Sequence, residues 1–370
     1  MSTFIQLHLL TSYPPANLNR DDLGRPKTAI MGGVQRLRIS SQSLKRAWRT
    51  SPLFEEALDG YVGTRTKEMG VKIFQDLTKA GVNEKKARKW AKSIAEQFGK
   101  LKGNKDKKPN QDLEIEQLAH FSPEEIKGIE TLTKALLDED RDPEESELTL
   151  LRKKNRAVDI ALFGRMLADA PRFNMEAAAQ VAHAITVHKV TVEDDYFTTV
   201  DDLNEGEEDM GAGHIGEREF AAGLFYLYVC INRDLLAENL QTDQCEEAES
   251  LVTKTLRAFT EAAVKIAPIG MQNSFASRAY ASYVLAEKGR QQPRSLSVAF
   301  LKPVSGNDVL SEATTSLEKT QDNMNKVYGK VSDTTYTLNA VDRTGSFDDL
   351  LDFVAKPLEE KESARNEEMT

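Results

Sequence analysis

Cysteine is nearly missing from this chain. Its 370 residues hold two, Cys230 and Cys245, and no CxxC pair, which argues against a disulfide framework or a thiolate zinc site. Histidine is almost as scarce, at five. His183 and His188 are five apart across a predicted change from helix to strand, and His8, His120 and His214 have no partner at ligand spacing. That pattern argues against a zinc centre. No apolar run approaches the ~20 residues that span a bilayer. The start, Met1-Ser2-Thr3-Phe4-Ile5-Gln6-Leu7, lacks the basic flank and apolar core of a secretion signal. The expected setting is cytoplasmic, without a membrane partner. No Walker-type phosphate loop is present. Gly211-Ala212-Gly213-His214-Ile215-Gly216 matches GxGxxG, but it follows an acidic stretch and precedes a strand. A dinucleotide loop follows a strand and opens a helix, so no cofactor is expected. There is no internal repeat at a fixed period.

Aromatics make up only 7% of the chain against 29% charged residues, a balance that suits a soluble, helix-rich protein. The charge is unevenly placed. The whole chain carries −10. Residues 1–50 hold eight cations, Arg20, Arg25, Lys27, Arg36, Arg38, Lys45, Arg46 and Arg49, against Asp21 and Asp22, a local net of +6. Residues 193–209 hold nine acids and no lysine or arginine. The overall balance argues mildly against indiscriminate nucleic-acid binding. It leaves room for a local cationic groove, because screening confines exposed charges to a reach of about 8–10 Å. A polyanion held against the first 50 residues is the natural reason for such segregation.

The densest part of that segment is Arg36-Leu37-Arg38-Ile39-Ser40-Ser41-Gln42-Ser43-Leu44-Lys45-Arg46-Ala47-Trp48-Arg49. It reads as a strand running straight into a helix. Arg36 and Arg38 alternate along the strand and are expected on one face. Ser40 or Ser41 is the expected N-cap. At 100° per residue, Gln42, Lys45, Arg46 and Arg49 share one side of the helix, while Leu44, Ala47 and Trp48 share the other and would anchor it to a core. A helix N-terminus ringed by cations is a phosphate-binding surface. The alternative is an amphipathic surface helix with a solvated basic face. On the first reading Arg20, Lys27, Arg36, Arg38, Lys45, Arg46 and Arg49 neutralise phosphates, and Ser40 and Gln42 hydrogen-bond phosphate oxygens or a 2′-hydroxyl. Such contacts fix position without reading sequence.

The run Asn19-Arg20-Asp21-Asp22, then Gly32-Gly33, then Arg38 through Ala47 resembles the N-terminal signature of the CasC-type backbone subunit, the filament-forming subunit of the type I-E CRISPR Cascade complex. Residues 158–166, 182–186 and 197–203 fit the same family in the same order. The resemblance implies a non-catalytic protein that is not an enzyme. Several copies would stack head-to-tail along a guide crRNA and present it for pairing with target DNA. Implied partners are the guide 5′-end and 3′-end subunits, a large subunit, a small subunit, and a helicase-nuclease recruited to the complex. The resemblance also implies a thumb that reaches over the next copy and wedges the guide so that a base flips out at intervals, with Phe197 and Met166 as the wedges. Taken alone, these two would more often be core or loop-packing residues.

With insertions skipped, the predicted order is strand (4–10), helix (41–50), strand (185–192), strand (219–231), helix (243–266) and strand (280–286). That is the split-βαβ plan of ferredoxin-like and RNA-recognition modules. Strand pattern also covers 34–39 and 296–301. Helical pattern covers 144–168, 174–183 and 308–328, and Ser122-Pro123-Glu124-Glu125 is a capping-box start. The expected fold class is α+β: a ferredoxin-like, RNA-recognition-motif-like palm with a large helical fingers insertion and a β-hairpin thumb. The palm would take residues 1–59, 182–192 and 219–370, the fingers 60–181 and the thumb 193–218.

Two rival functions stay open. Asp21 and Asp22 could hold a divalent metal for phosphodiester cleavage, making the chain a metal-dependent ribonuclease. Alternatively they cap their own loop and pair with Arg20 or Arg25. A monomeric single-stranded RNA-binding module is the other rival. The clusters around Lys100–Lys108 and Arg152–Arg156 are ordinary solvated faces on charge pattern alone. In the resembled family the fingers also meet target DNA, and Lys105, Lys107, Lys108, Arg152, Lys153 and Lys154 are the candidates for that contact.

Overall fold

The computed structural model describes residues 2–103, 108–199, 214–240 and 245–358. In chain order they form β1 (Phe4–Ala16), β2 (Thr28–Met31), β3 (Val34–Ile39), α1 (Ser41–Arg49), α2 (Pro52–Ala57), β4 (Thr64–Thr66), α3 (Met69–Lys79), α4 (Glu84–Ala95), β5 (Ala119–Phe121), α5 (Pro123–Glu139) and α6 (Val158–Phe163). There follow β6 (Ala179–Val181), β7 (Ala184–Thr186), β8 (Glu193–Thr199), β9 (His214–Asn232), α7 (Arg233–Asn239), α8 (Cys245–Lys265), α9 (Gln272–Phe275), β10 (Tyr283–Gly289), α10 (Val309–Tyr328), β11 (Thr334–Asn339) and α11 (Phe347–Ala355). The fold class is α+β. No helix among the described residues is long and apolar enough to cross a membrane. The chain divides into two compact units, one of residues 1–54, 181–231 and 256–370, the other of 55–180 and 232–255.

The first unit is built on an extended sheet in the order β11-β10-β1-β9-β7-β3-β2, with β8 pairing to β9. The near-continuous apolar run of β1 suits a strand covered on both faces. It lies antiparallel to β10, in register from Phe4 opposite Gly289 to Leu10 opposite Tyr283. Leu10, Leu224, Tyr226, Tyr283, Phe300 and Leu317 pack together as its core. A polar cluster is sealed inside. His8 Nε2 donates to Glu287 Oε2 at 3.0 Å, and Tyr226 OH donates to His8 Nδ1 at 2.8 Å. Burial holds His8 below its usual pKa and therefore neutral. Burial also opposes ionisation of Glu287, but hydrogen bonds from His8, Arg294 and Gln321 outweigh it and keep the carboxyl ionised.

In the second unit α3, α4 and α5 enclose Phe74, Trp90, Phe121, Ile129 and Leu136. The capping box at Ser122 forms as predicted, with Ser122 and Glu125 exchanging side-chain and backbone bonds. The carboxylate of Glu125 also receives Arg165 Nη1 at 2.8 and 2.9 Å in a buried pair.

Several elements differ from expectation. Residues 144–168 hold only a short 3-10 turn and α6, not one helix. Residues 174–183 are irregular apart from the short β6, where a helix was expected. The expected strand at 296–301 is a 3-10 turn over Ser297–Phe300. The strand expected at 185–192 is the short β7. β1 runs on to Ala16 through Pro14 and Pro15. At 296–301 a short apolar run reads alike as strand or turn, and its long-range partners decide the state.

Candidate nucleic-acid interface

The site begins at a turn. Gly32 and Gly33 join the paired Met31 and Val34, both at positive φ, +62° and +77°, as a type I′ hairpin requires. A Cβ on Gly32 would stand 1.7 Å from the Leu301 carbonyl oxygen, so only glycine fits there. This turn sets the register of β3 and aims its two arginines.

Arg36 is a correction. Its side chain is completely enclosed. Nη1 donates to Thr186 O and Nη2 to Phe300 O, each at 2.9 Å, and Nε donates to Met31 O at 3.3 Å. Burial lowers its pKa. The guanidinium is spent on three carbonyls and has no edge left for phosphate. Alternation put Arg36 and Arg38 on one face correctly, but chain from far along the sequence covers Arg36 and leaves Arg38 partly open.

Arg38 lies beside Lys27 and Asn19. The Arg38 amide donates to Lys27 O and the Lys27 amide to Asn19 O, both at 2.8 Å. Asn19 Oδ1 accepts from the Ser40 amide at 2.9 Å. Asn19, Pro26, Lys27, Arg38 and Phe225 thus line one shallow cleft. Arg38 Nη1 donates to His183 Nδ1 at 2.9 Å. Partial burial, then the charges of Arg38 and Lys27, lower the His183 pKa, so His183 adds no charge at neutral pH. In sequence Asn19 stands out only as part of the family signature, and His183 not at all as a site builder, because its partner Arg38 lies 145 residues away.

Arg20 is exposed on the same loop. Asp21 is a structural cap. Its Oδ1 accepts from the Leu23 and Arg25 amides at 2.9 Å and its Oδ2 from Arg25 Nε at 3.4 Å. The Arg25 amide and its neighbours hold the carboxyl below its usual pKa. This occupancy favours the loop-capping reading over a metal ligand. Asn17 ties the loop down, its Nδ2 donating to Gly24 O at 2.9 Å and to Glu219 O at 3.0 Å.

Helix α1 follows the expected pattern. Leu44, Ala47 and Trp48 are buried, and Trp48 meets Phe259 edge-on at 5.6 Å between centroids. Gln42 and Arg46 are exposed, while Lys45 and Arg49 are partly so. Burial lowers the Lys45 pKa. Ser40 needs a correction in part. It is the N-cap, accepting from the Ser43 amide, and is only 7% exposed. Its main contribution is to place the helix start rather than to present a hydroxyl.

Phe197 sits in the β8–β9 hairpin, directly opposite Gly216. The tip of its ring fills the space a side chain at 216 would need, with Cζ 2.4 Å from a Cβ built there. Arg218 lies over the ring, 4.5 Å from its centroid. Tyr196, on the other face, is 61% exposed. The rest of the expected thumb, 200–213, lies outside the described residues, and with it half of the GxGxxG match. Met166 belongs to the second unit and is 80% exposed. It follows Arg165, whose guanidinium is locked to Glu125, the Arg152 carbonyl and the Phe173 carbonyl. Lys108, Arg152, Lys153 and Lys154 are exposed. Lys105 and Lys107 lie outside the described residues.

A model of the CT1975-like protein family matches residues 5–356. A chain of a solved structure titled CRISPR RNA-guided surveillance complex, pre-nicking, is similar with a TM-score of 0.81 at 30% identity, covering 95% of this chain and 99% of that one. A second, from a CRISPR RNA-guided surveillance complex, has a TM-score of 0.70 at 25% identity over the same shares. No curated protein matches. These likenesses agree with the CasC-type resemblance of the first 50 residues, and with a match over nearly its whole length the chain belongs to the CT1975-like protein family.

Proposed function

We propose that this protein is a component of a CRISPR RNA-guided surveillance complex, and that it is the complex's non-catalytic, guide-binding backbone subunit. The observation that carries the reading is the β3–α1 corner. Lys27 and Arg38 line one cleft, and Gln42, Lys45, Arg46 and Arg49 follow along one side of the helix that starts beside it, the last two in its final turn, with Arg20 on the adjoining loop. Salt-dependent, sequence-neutral contact with a single strand is what such an arrangement can do. The adjacent strands β10-β1-β9-β7 have the neighbour order of a ferredoxin-like sheet, which supports the palm reading. Residues 60–181 would be the fingers and 193–218 the thumb. Met166, exposed on a rigidly held segment, and Phe197 would be the wedges. Lys108, Arg152, Lys153 and Lys154, with Lys105 and Lys107, would face target DNA. The partners would be crRNA, further copies of the chain, the large, small and guide-end subunits, and a recruited helicase-nuclease. The location would be cytoplasmic.

The test is co-expression with guide RNAs of graded length, followed by light scattering and analysis of the bound RNA. The expected result is a mass that grows in steps with RNA length, with the RNA intact. One small species at every length would favour the monomeric RNA-binding module. RNA cut in Mg²⁺, with cutting lost in Asp22→Ala, would favour the ribonuclease.

A further inference from the structure

The β8–β9 hairpin poses an electrostatic problem for an RNA-binding role. Its described residues, 193–199 and 214–220, include Glu193, Asp194, Asp195, Glu217 and Glu219, and Arg218 is their sole lysine or arginine. A segment with five acids repels a phosphate backbone unless a cation stands where the two meet. Arg218 is directly opposite Asp195 in the ladder, the natural position for a cross-strand ion pair. Yet its guanidinium lies over the Phe197 ring. Diagonal neighbours on one face of an antiparallel pair are within reach of long side chains, and Gly216 makes this contact possible. With no Cβ at 216, the ring folds down onto the strand, and the arginine two residues on closes over it.

An arginine held this way uses its flat face on the ring and keeps its N–H edge for an anion. We infer that Arg218 is a guide-contacting residue: it forms one stacked unit with Phe197 and gives the hairpin its phosphate contact beside the wedge. Gly216 is the positioning residue that seats the ring. This inference rests on the guide-binding reading above and adds to it the residue that lets an acidic hairpin approach RNA.

The test uses the full-length chain assembled on guide RNAs carrying 2-aminopurine at successive positions, with affinity measured over a salt series. The wild-type protein is expected to brighten the probe at regular intervals, where bases leave the stack. Arg218→Gln should weaken binding roughly two- to fivefold, lower the log–log salt slope by about 0.7 per bound copy, and blur the periodic signal. Arg218→Lys should restore the slope, because charge returns, but not the sharpness of the signal, because the planar stack does not. Gly216→Ala should blur the signal while leaving the slope intact. If the wild-type protein shows no periodic signal, the wedge reading itself fails. If the signal is periodic and Arg218→Gln changes neither slope nor pattern, the wedge stands and the role of Arg218 is overturned. Circular dichroism and melting of each variant separate these outcomes from misfolding.

Discussion

The β3–α1 corner and the β8–β9 hairpin belong to the same unit and carry opposite charge. Around the corner, cations outnumber acids and stand on a helix whose other face is nailed into the core by Trp48. Among the hairpin's described residues, 193–199 and 214–220, acids outnumber cations five to one, and the notable contact is a ring packed on a glycine under an arginine. The corner is suited to hold a strand by charge, with a grip that weakens as salt rises. The hairpin is suited to act mainly by shape and stacking, which depend less on salt, with Arg218 as its single charged contact. The proposed role, holding any guide sequence while presenting its bases in order, calls for both kinds of contact.

The largest effect is expected where the comparison could break inside the corner itself. Arg36 is internal and Arg46 exposed, though both belong to the same run of basic residues. Arg36→Met should remove the donors of three buried carbonyl contacts and cost about 2–4 kcal/mol of stability, read by denaturant melting. The salt slope of the folded fraction should not change. Arg46→Ala should do the reverse. If Arg36→Met melted like the wild type and bound RNA with a flatter slope, Arg36 would return to the binding surface.

Next in size is the proposed wedge. Phe197→Ala should cost ~1–3 kcal/mol per stacked base in guide binding, with little change in slope. An unchanged guide affinity together with unchanged protection of the guide from nuclease would remove Phe197 from the site. Third comes the charge pair of the corner. Lys27→Ala combined with Arg46→Ala should lower the slope by about 1.4, so that a fourfold rise in salt costs roughly sevenfold less affinity than in the wild type. A slope equal to that of the wild type would mean that these cations are merely solvated.

How much of this could be read from the chain depends on how local each contact is. Helix α1 was legible because its cap, its apolar stripe and its cations all lie within ten residues, and one period describes them. The positive-φ pair Gly32 and Gly33 had a local signature as well. The fate of Arg36 was hidden, since the carbonyls of Thr186 and Phe300 that consume it are 150 and 264 residues away. The 3-10 turn at Ser297–Phe300 carried the same short apolar run as a strand, and its packing against Tyr226 is information that no window of sequence contains. The seat of Phe197 was similarly veiled: Gly216 drew notice only as the end of a nucleotide-loop lookalike, whereas its partner across the ladder explains it.

The smallest expected effect is also the most local probe of the corner. His183 accepts from Arg38 and is held below its usual value of 6.5 by partial burial and by the charges of Arg38 and Lys27. In the free protein it is neutral at pH 7. Phosphates placed against Arg38 and Lys27 would offset those charges and raise its pKa. The complex would then bind more protons than the free protein, and affinity must rise as pH falls toward and below 6.5. Protonation also ends the acceptor role of Nδ1, which releases the Arg38 edge toward phosphate in the same step. A gain of roughly two- to threefold between about pH 7.5 and 6 is expected, and His183→Gln should flatten it. A pH-independent affinity in the wild type would mean that the guide does not lie against Arg38, and the corner would then hold the strand by α1 alone.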